Sequence, residues 1–278
     1  CASLWGHVGK ETNLLRQDGT GEQDGETADH RIHAVMDWGT WEIPMEEYLI
    51  YKLSAVMPED YEREALKAQA VLLRTELIQA LREQENDVLM IADDSLGRWY
   101  EADVNSEEFQ VYRQAVEETE GLCLCFQGEV IQASYFKVSN GKTRDAAEVW
   151  DTDRRPYLRG ISCVQDKAAQ DYGSTVKVSR AEYLRRIQGQ IQGGFSQQEL
   201  WEGAEFTYDK AGYVINVSFS AEGKETERMD GETFRYLFEL PSASFEMEKE
   251  EMRVVFRVTG VGHGFGMSQY GANCMALN

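Results

Sequence analysis

From about Asp60 to Glu85 the apolar residues Leu66, Ala70, Leu73, Leu77 and Leu81 fall at spacings of four and three, the rhythm that lays one stripe of an α-helix against a core. Asp60, Glu62 and Glu64 put negative charge at the positive end of its dipole, so the longest helix of the chain is expected there. Lys67 and Arg74 lie on a neighbouring face and by themselves read as a solvated stripe. Upstream, Ile32 to Trp38 reads as a short strand, and Glu46 to Leu53 as a helix that Pro58 separates from the long one.

Past the long helix the pattern alternates. Phe109 to Thr119 predicts a helix, Cys123 to Phe126 and Val130 to Val138 a hairpin through Gln127-Gly128-Glu129, and Ala181 to Gln192 a further helix. The tail from 205 to 259 is mostly strand-like and ends in the β-branched run Arg253 to Val258. Helices first, mixed elements next and strands last predict an α+β fold rather than a doubly wound sheet. Residues 17–30 are acidic and glycine-rich with no apolar period. Residues 1–31 are therefore expected to form a mobile arm and 32–278 the folded domain, with room for a sub-domain around 165–250.

At 278 residues, with 42% apolar and 28% charged content, the chain has material for a large core in one domain or two. Asp and Glu outnumber Lys and Arg by 49 to 28, so the phosphates of nucleic acid and anionic membrane surfaces are repelled at long range. Nucleic acid is not expected as a partner. No apolar run approaches the roughly 18 residues of a membrane span, and no basic-plus-apolar signal begins the sequence. Cys1-Ala2-Ser3 fits a processed lipoprotein end or, more readily, the cut edge of a longer sequence, and any anchor would lie upstream of it. The five cysteines, 1, 123, 125, 163 and 274, are too few and too unevenly spaced for a disulfide scaffold. Cys123-Leu124-Cys125 also lacks the spacing of a zinc knuckle, which leaves buried free thiols as the favoured reading and one disulfide or a partial metal site as the alternative.

Chemistry concentrates near the C-terminus, in Val261-Gly262-His263-Gly264-Phe265-Gly266-Met267-Ser268-Gln269-Tyr270-Gly271-Ala272. Glycine at 260, 262, 264 and 266 permits positive φ and close backbone approach, and the loop presents His263 between a strand and a helix capped by Ser268. A dinucleotide fingerprint is excluded because Phe265 and Met267 stand where its third glycine is needed. A second segment runs from Tyr135 to Trp150. Its Gly141-Lys142-Thr143 is no phosphate loop, since Phe136 occupies the position of the required glycine. A strand ending at Ser139, a turn at Asn140-Gly141, and Lys142, Thr143 and Arg144 offered together as donors beside Trp150 suit a sugar or a carboxylate.

Three segments together resemble the stage II sporulation protein D and amidase-enhancer family in order and spacing. They are Glu46-Glu47-Tyr48 with Met57-Pro58 and Glu64 to Val71; Ser139 to Thr143 with Glu148-Val149-Trp150; and Gly262 to Ala272. The resemblance spans about 43 to 276. It implies a glycan-binding groove, peptidoglycan glycan strands as substrate, an extracytoplasmic, cell-wall-associated location and an amidase as partner. Lys67, Gln69, Ser139, Lys142, Thr143, Trp150, His263, Ser268 and Gln269 are then the expected substrate-binding residues. The sporulation protein is a lytic transglycosylase, whose catalytic glutamate directly precedes the Met-Pro pair. Here that position is Val56.

An isopropyl group neither protonates a glycosidic oxygen nor takes a proton from the attacking sugar hydroxyl, and loss of a general acid costs about 10²- to 10⁴-fold. Glu47, Glu59 and Glu64 are the nearby carboxylates that could stand in. Some relatives carry a histidine where this chain has Lys137, so a zinc site is not expected, nor is any other cofactor. Two classes of function follow: a degenerate member that binds glycan or assists an amidase, and an active glycan cleaver using a displaced carboxylate.

Overall fold

The structure, a computed structural model, describes residues 12–16, 31–36, 39–84, 88–92, 102–150 and 155–277. Cys1, the acidic stretch 17–30, Trp38 and Glu85 lie outside them. The chain divides into two compact units, one of Cys1–Ser134 with Ala272–Asn278 and one of Tyr135–Gly271. Helices with several mostly antiparallel sheets make the fold α+β, as the order of patterns predicts.

The first unit contains β1 (Thr12–Arg16), β2 (Arg31–Met36), β3 (Gly39–Pro44), α1 (Met45–Val56), α2 (Arg63–Gln84), β4 (Val88–Ala92), α3 (Gln110–Glu117), β5 (Leu122–Phe126) and β6 (Glu129–Val130). β2 pairs antiparallel with β3 and parallel with β4, and β1, β5 and β6 form a second, antiparallel sheet. β1 thus lies within the stretch expected to be an arm. On α2 the whole predicted stripe is buried, and so are Val71, Leu72 and Ile78 on other faces, because α1, α3 and β5 all pack on this helix.

That packing overturns the solvated reading of Arg74. Its guanidinium is fully buried, with Nε donating to Glu46 Oε1 at 2.8 Å and Nη2 to Glu46 Oε2 at 2.7 Å. Further bonds reach the carbonyls of Val116 and Leu122, which satisfies the charge inside the core.

The predicted hairpin is cut short. β5 and β6 pair for two positions, after which the chain passes at Tyr135 into the second unit.

That unit holds β7 (Tyr135–Phe136), α4 (Ala146–Trp150), β8 (Gly173–Ser179), α5 (Arg180–Gln188), α6 (Gln197–Glu202), β9 (Ala204–Tyr208), β10 (Val214–Phe219), β11 (Glu227–Asp230) and α7 (Gly231–Leu237). β12 (Phe245–Lys249), β13 (Arg253–Thr259) and β14 (Met267–Ser268) follow, and α8 (Gln269–Ala276) carries the chain across the boundary at Gly271. β12, β13 and β8 make one antiparallel sheet and β9, β10 and β11 another. Phe234 of α7 sits among Phe206, Phe238, Phe245 and Phe256, with ring centroids 4.8 to 6.0 Å away. Such tilted and stacked pairs add about 0.5–1.5 kcal/mol each beyond area burial. α7 interrupts the expected run of strands because Asp230 caps it, its Oδ1 accepting the Thr233 N–H at 2.9 Å.

Candidate functional site

In the second unit the two motif segments are built into each other. β7 and β14 pair in parallel, Tyr135 opposite Met267 and Phe136 opposite Ser268. Val138 and Val261 exchange both backbone hydrogen bonds, at 3.1 and 2.7 Å, and the Arg144 N–H donates to the Gly264 carbonyl at 2.8 Å. The predicted positive φ is present at Gly260, Gly262, Gly264 and Gly266. Close approach matters as much. A Cβ at Gly262 would lie 2.6 Å from Phe136 Cβ, and one at Gly264 would lie 2.7 Å from Tyr213 Cζ and 2.9 Å from Arg144 Cδ.

Under this pairing lies Asp166, a residue the sequence gives no reason to single out. Its side chain is fully buried, and one oxygen, Oδ2, accepts both the Ser139 N–H at 2.7 Å and the Ser268 hydroxyl at 2.6 Å. Ser268 Oγ in turn accepts the Gly271 N–H at 3.2 Å, as the cap of α8 that its position predicts. Ser139 Oγ accepts the Gly141 N–H at 3.1 Å, and Lys142 N–H donates to Asn140 Oδ1 at 3.1 Å, which folds the turn onto its own side chains.

The expectation that Lys142, Thr143 and Arg144 act together as donors does not hold. Lys142 alone is exposed. Thr143 is buried, its hydroxyl accepting from Ile161 N at 2.9 Å. The Arg144 guanidinium is 1% exposed, donates to Asp209 Oδ2 at 2.6 Å and to the His263 carbonyl at 3.3 Å, and lies 4.6 Å from the Phe265 ring centroid. Ser139, Ser268 and Gln269 are buried as well. Lys137 pairs with Asp171.

His263 is half-buried, and its Nδ1 is engaged. Nδ1 accepts the Phe265 N–H at 3.1 Å, which places the ring hydrogen on Nε2. Burial lowers its pKa below 6.5, so the neutral ring prevails at neutral pH. Trp150, 40% exposed, stacks on Phe265 at 4.3 Å between centroids. The Arg155 guanidinium lies 4.6 Å from the same indole centroid. A sugar stacking on the indole would therefore compete with both Phe265 and Arg155 for it.

The remaining expected residues belong to the first unit. Val56 is the last residue of α1 and half-buried. Lys67 bridges Glu64 at 2.8 Å and Glu118 at 3.5 Å, while Gln69 has no exposed surface. Of the stand-in carboxylates, Glu64 is held below its ordinary range by its bond to Lys67, Glu59 is exposed, and Glu47 is raised by burial and by Asp103. Glu76, missed in the sequence because it sits between core positions of α2, is raised further, to about 7, by burial. Cys123, Cys125 and Cys163 are buried free thiols, with Cys123 and Cys125 Sγ 4.0 Å apart. Among the described residues no three of His, Cys, Asp or Glu gather as a metal site. No helix among them is long and apolar enough to cross a membrane.

Residues 39–126 match a family model described as stage II sporulation protein. The chain is 31% identical over 255 residues to the stage II sporulation protein D of Bacillus subtilis (strain 168), covering 84% of this chain and 69% of that one. It is likewise 31% identical over 257 residues to the stage II sporulation protein D of Bacillus amyloliquefaciens, with the same coverage. An uncharacterised protein of Brachyspira hyodysenteriae is 27% identical over 245 residues, covering 84% of this chain and 62% of its own length.

Proposed function

The chain belongs to the stage II sporulation protein D family, and we propose that it serves a sporulation-related cell-wall function by binding peptidoglycan glycan strands without cutting them. Val56 carries this reading. It stands where the resemblance to the sporulation enzyme puts the acid of glycan cleavage, at the end of α1 inside the segment matched by the family model. A valine there leaves neither a proton donor for the glycosidic oxygen nor a base for the attacking hydroxyl. The protein then acts outside the cytoplasm by holding glycan and assisting an amidase at the wall.

The stand-in carboxylates support the same reading. Glu47 has the raised pKa that a general acid wants, but nine residues of α-helix separate it from Val56, a rise of about 14 Å. Glu64, held ionised by Lys67, is a poor acid. In the second unit, Lys142 offers an exposed ammonium to sugar hydroxyls or lactyl carboxylates, and Trp150 offers a partly exposed indole.

Co-sedimentation with amidase-treated peptidoglycan tests the binding. Wild-type protein is expected in the pellet, with Trp150→Ala and Lys142→Ala each weakening retention several-fold. Wild-type protein that stays in the supernatant would rule out glycan binding.

A further inference from the structure

Glu232, in the first turn of α7, belongs to none of the motif segments, yet its carboxylate bridges two arginines of the second unit. Oε1 accepts from Arg144 Nη1 at 3.5 Å and Oε2 from Arg235 Nε at 2.7 Å. Each arginine holds one flank of His263. Arg144 Nη1 also donates to the His263 carbonyl at 3.3 Å. Arg235 Nη1 donates to the carbonyls of Leu240 at 3.3 Å and Pro241 at 3.5 Å, and the Pro241 carbonyl accepts the Gly262 N–H at 2.8 Å. The carbonyl of His263 and the N–H of the residue before it are thus tied together through one side chain on a separate element.

Charge makes the bridge necessary. Asp209 and Glu232 balance Arg144 and Arg235, and three of the four are nearly closed to water, with side-chain exposures of 1% for Asp209 and Arg144 and 12% for Arg235. Asp209 pairs with Arg144, and Glu232 is the carboxylate beside Arg235. Removing the charge of Glu232 leaves two poorly hydrated guanidinium groups with one acid between them, and a buried cation without its partner is strongly destabilising. Relief comes from moving the arginines apart, and each takes with it the backbone it holds. Glu232 itself is 30% exposed, so a substitution there removes charge without opening a core cavity.

We propose that Glu232 is the positioning residue of the His263 loop, holding the backbone on both sides of the imidazole through Arg144 and Arg235 so that the loop is set for glycan. Its part in binding rests on the glycan reading above. The link to Trp150 is short: the Phe265 N–H donates to His263 Nδ1 at 3.1 Å, and the Phe265 ring stacks on the indole at 4.3 Å between centroids. A loop that slackens around His263 therefore shifts the ring on which Trp150 rests.

Hydrogen exchange and NMR titration of the full chain test this without glycan. In Glu232→Gln, which keeps the side chain's length and removes its charge, the Gly262 and Phe265 amides are expected to exchange at least about tenfold faster, with those of β13 unchanged. Burial, with Arg235 and Arg144, holds the His263 midpoint low and Glu232 opposes them, so that midpoint is expected to fall further in the variant. Asp230→Asn removes an equal charge from the same end of α7 and keeps the cap, and is expected to change neither reading. Retention on amidase-treated glycan is expected to drop several-fold in Glu232→Gln and to hold in Asp230→Asn. Unchanged loop exchange or an unchanged ring midpoint in Glu232→Gln, the same changes in Asp230→Asn, or full glycan retention by a loosened Glu232→Gln loop would each overturn the proposal. Failure of the wild-type chain to sediment would instead sink the glycan reading alone, because exchange and titration are read without glycan.

Discussion

One oxygen of Asp166 accepts the Ser268 hydroxyl at 2.6 Å and the Ser139 N–H at 2.7 Å, so a single buried carboxylate ties the second motif segment to the third. Replacing it with alanine strands a buried N–H and frees the hydroxyl that caps α8. Asp166→Ala is expected to lower unfolding free energy by about 2–4 kcal/mol, and Ser268→Ala by about 1 kcal/mol, in urea titrations. A loss below about 1 kcal/mol for Asp166→Ala would mean that backbone pairing alone holds the two segments.

The glycine loop separates two effects that a single mutant would confuse. Gly264 and Gly223 have similar φ, +84° and +76°, but a Cβ at Gly223 meets nothing within 4 Å. Gly223→Ala is expected to cost about 1 kcal/mol, from backbone strain alone. Gly264→Ala adds a collision with the buried Tyr213 ring and is expected to cost at least about 2 kcal/mol more. Equal midpoint shifts in the two variants would show that the loop gives way without loss.

His263 is predicted to be a fixed neutral strut. Nitrogen-detected NMR is expected to show hydrogen on Nε2 and titration below 6.5, since protonating Nδ1 breaks its bond with the Phe265 N–H. The folded state binds fewer protons here than the unfolded chain. The stability it confers is therefore full above about 6.5 and declines as pH falls below that, until the lower folded value is passed. A ring titrating above 6.5, or carrying hydrogen on Nδ1, would contradict the assignment.

Much of this was legible in local patterns. The four-and-three spacing of Leu66 to Leu81 finds α2, and the β-branched run finds β13. The glycines announce positive φ because their conformational freedom is a property of each residue. What escaped depends on distance in sequence. Asp166 meets Ser139 and Ser268 from 27 and 102 residues away and belongs to no motif. β7 and β14 are two residues each, too short for any period. Arg74 looks like surface until α3 and β5 cover it. Burial likewise turned Thr143 and Arg144, chemically plausible donors, into internal struts.

The proposed function holds that Val56 removes cutting and leaves glycan binding in place. Val56 ends α1 half-buried, so a glutamate there avoids deep burial and costs about 1 kcal/mol against the negative end of the helix dipole. Val56→Glu is expected to fold. The decisive measurement is mass spectrometry of amidase-treated peptidoglycan after incubation with wild type and with Val56→Glu, read for anhydro-muropeptides. None is expected above background with wild type, and a clear signal is expected with Val56→Glu. Abundant anhydro products from the wild-type chain would contradict it and turn the search to Glu47, Glu59 and Glu64.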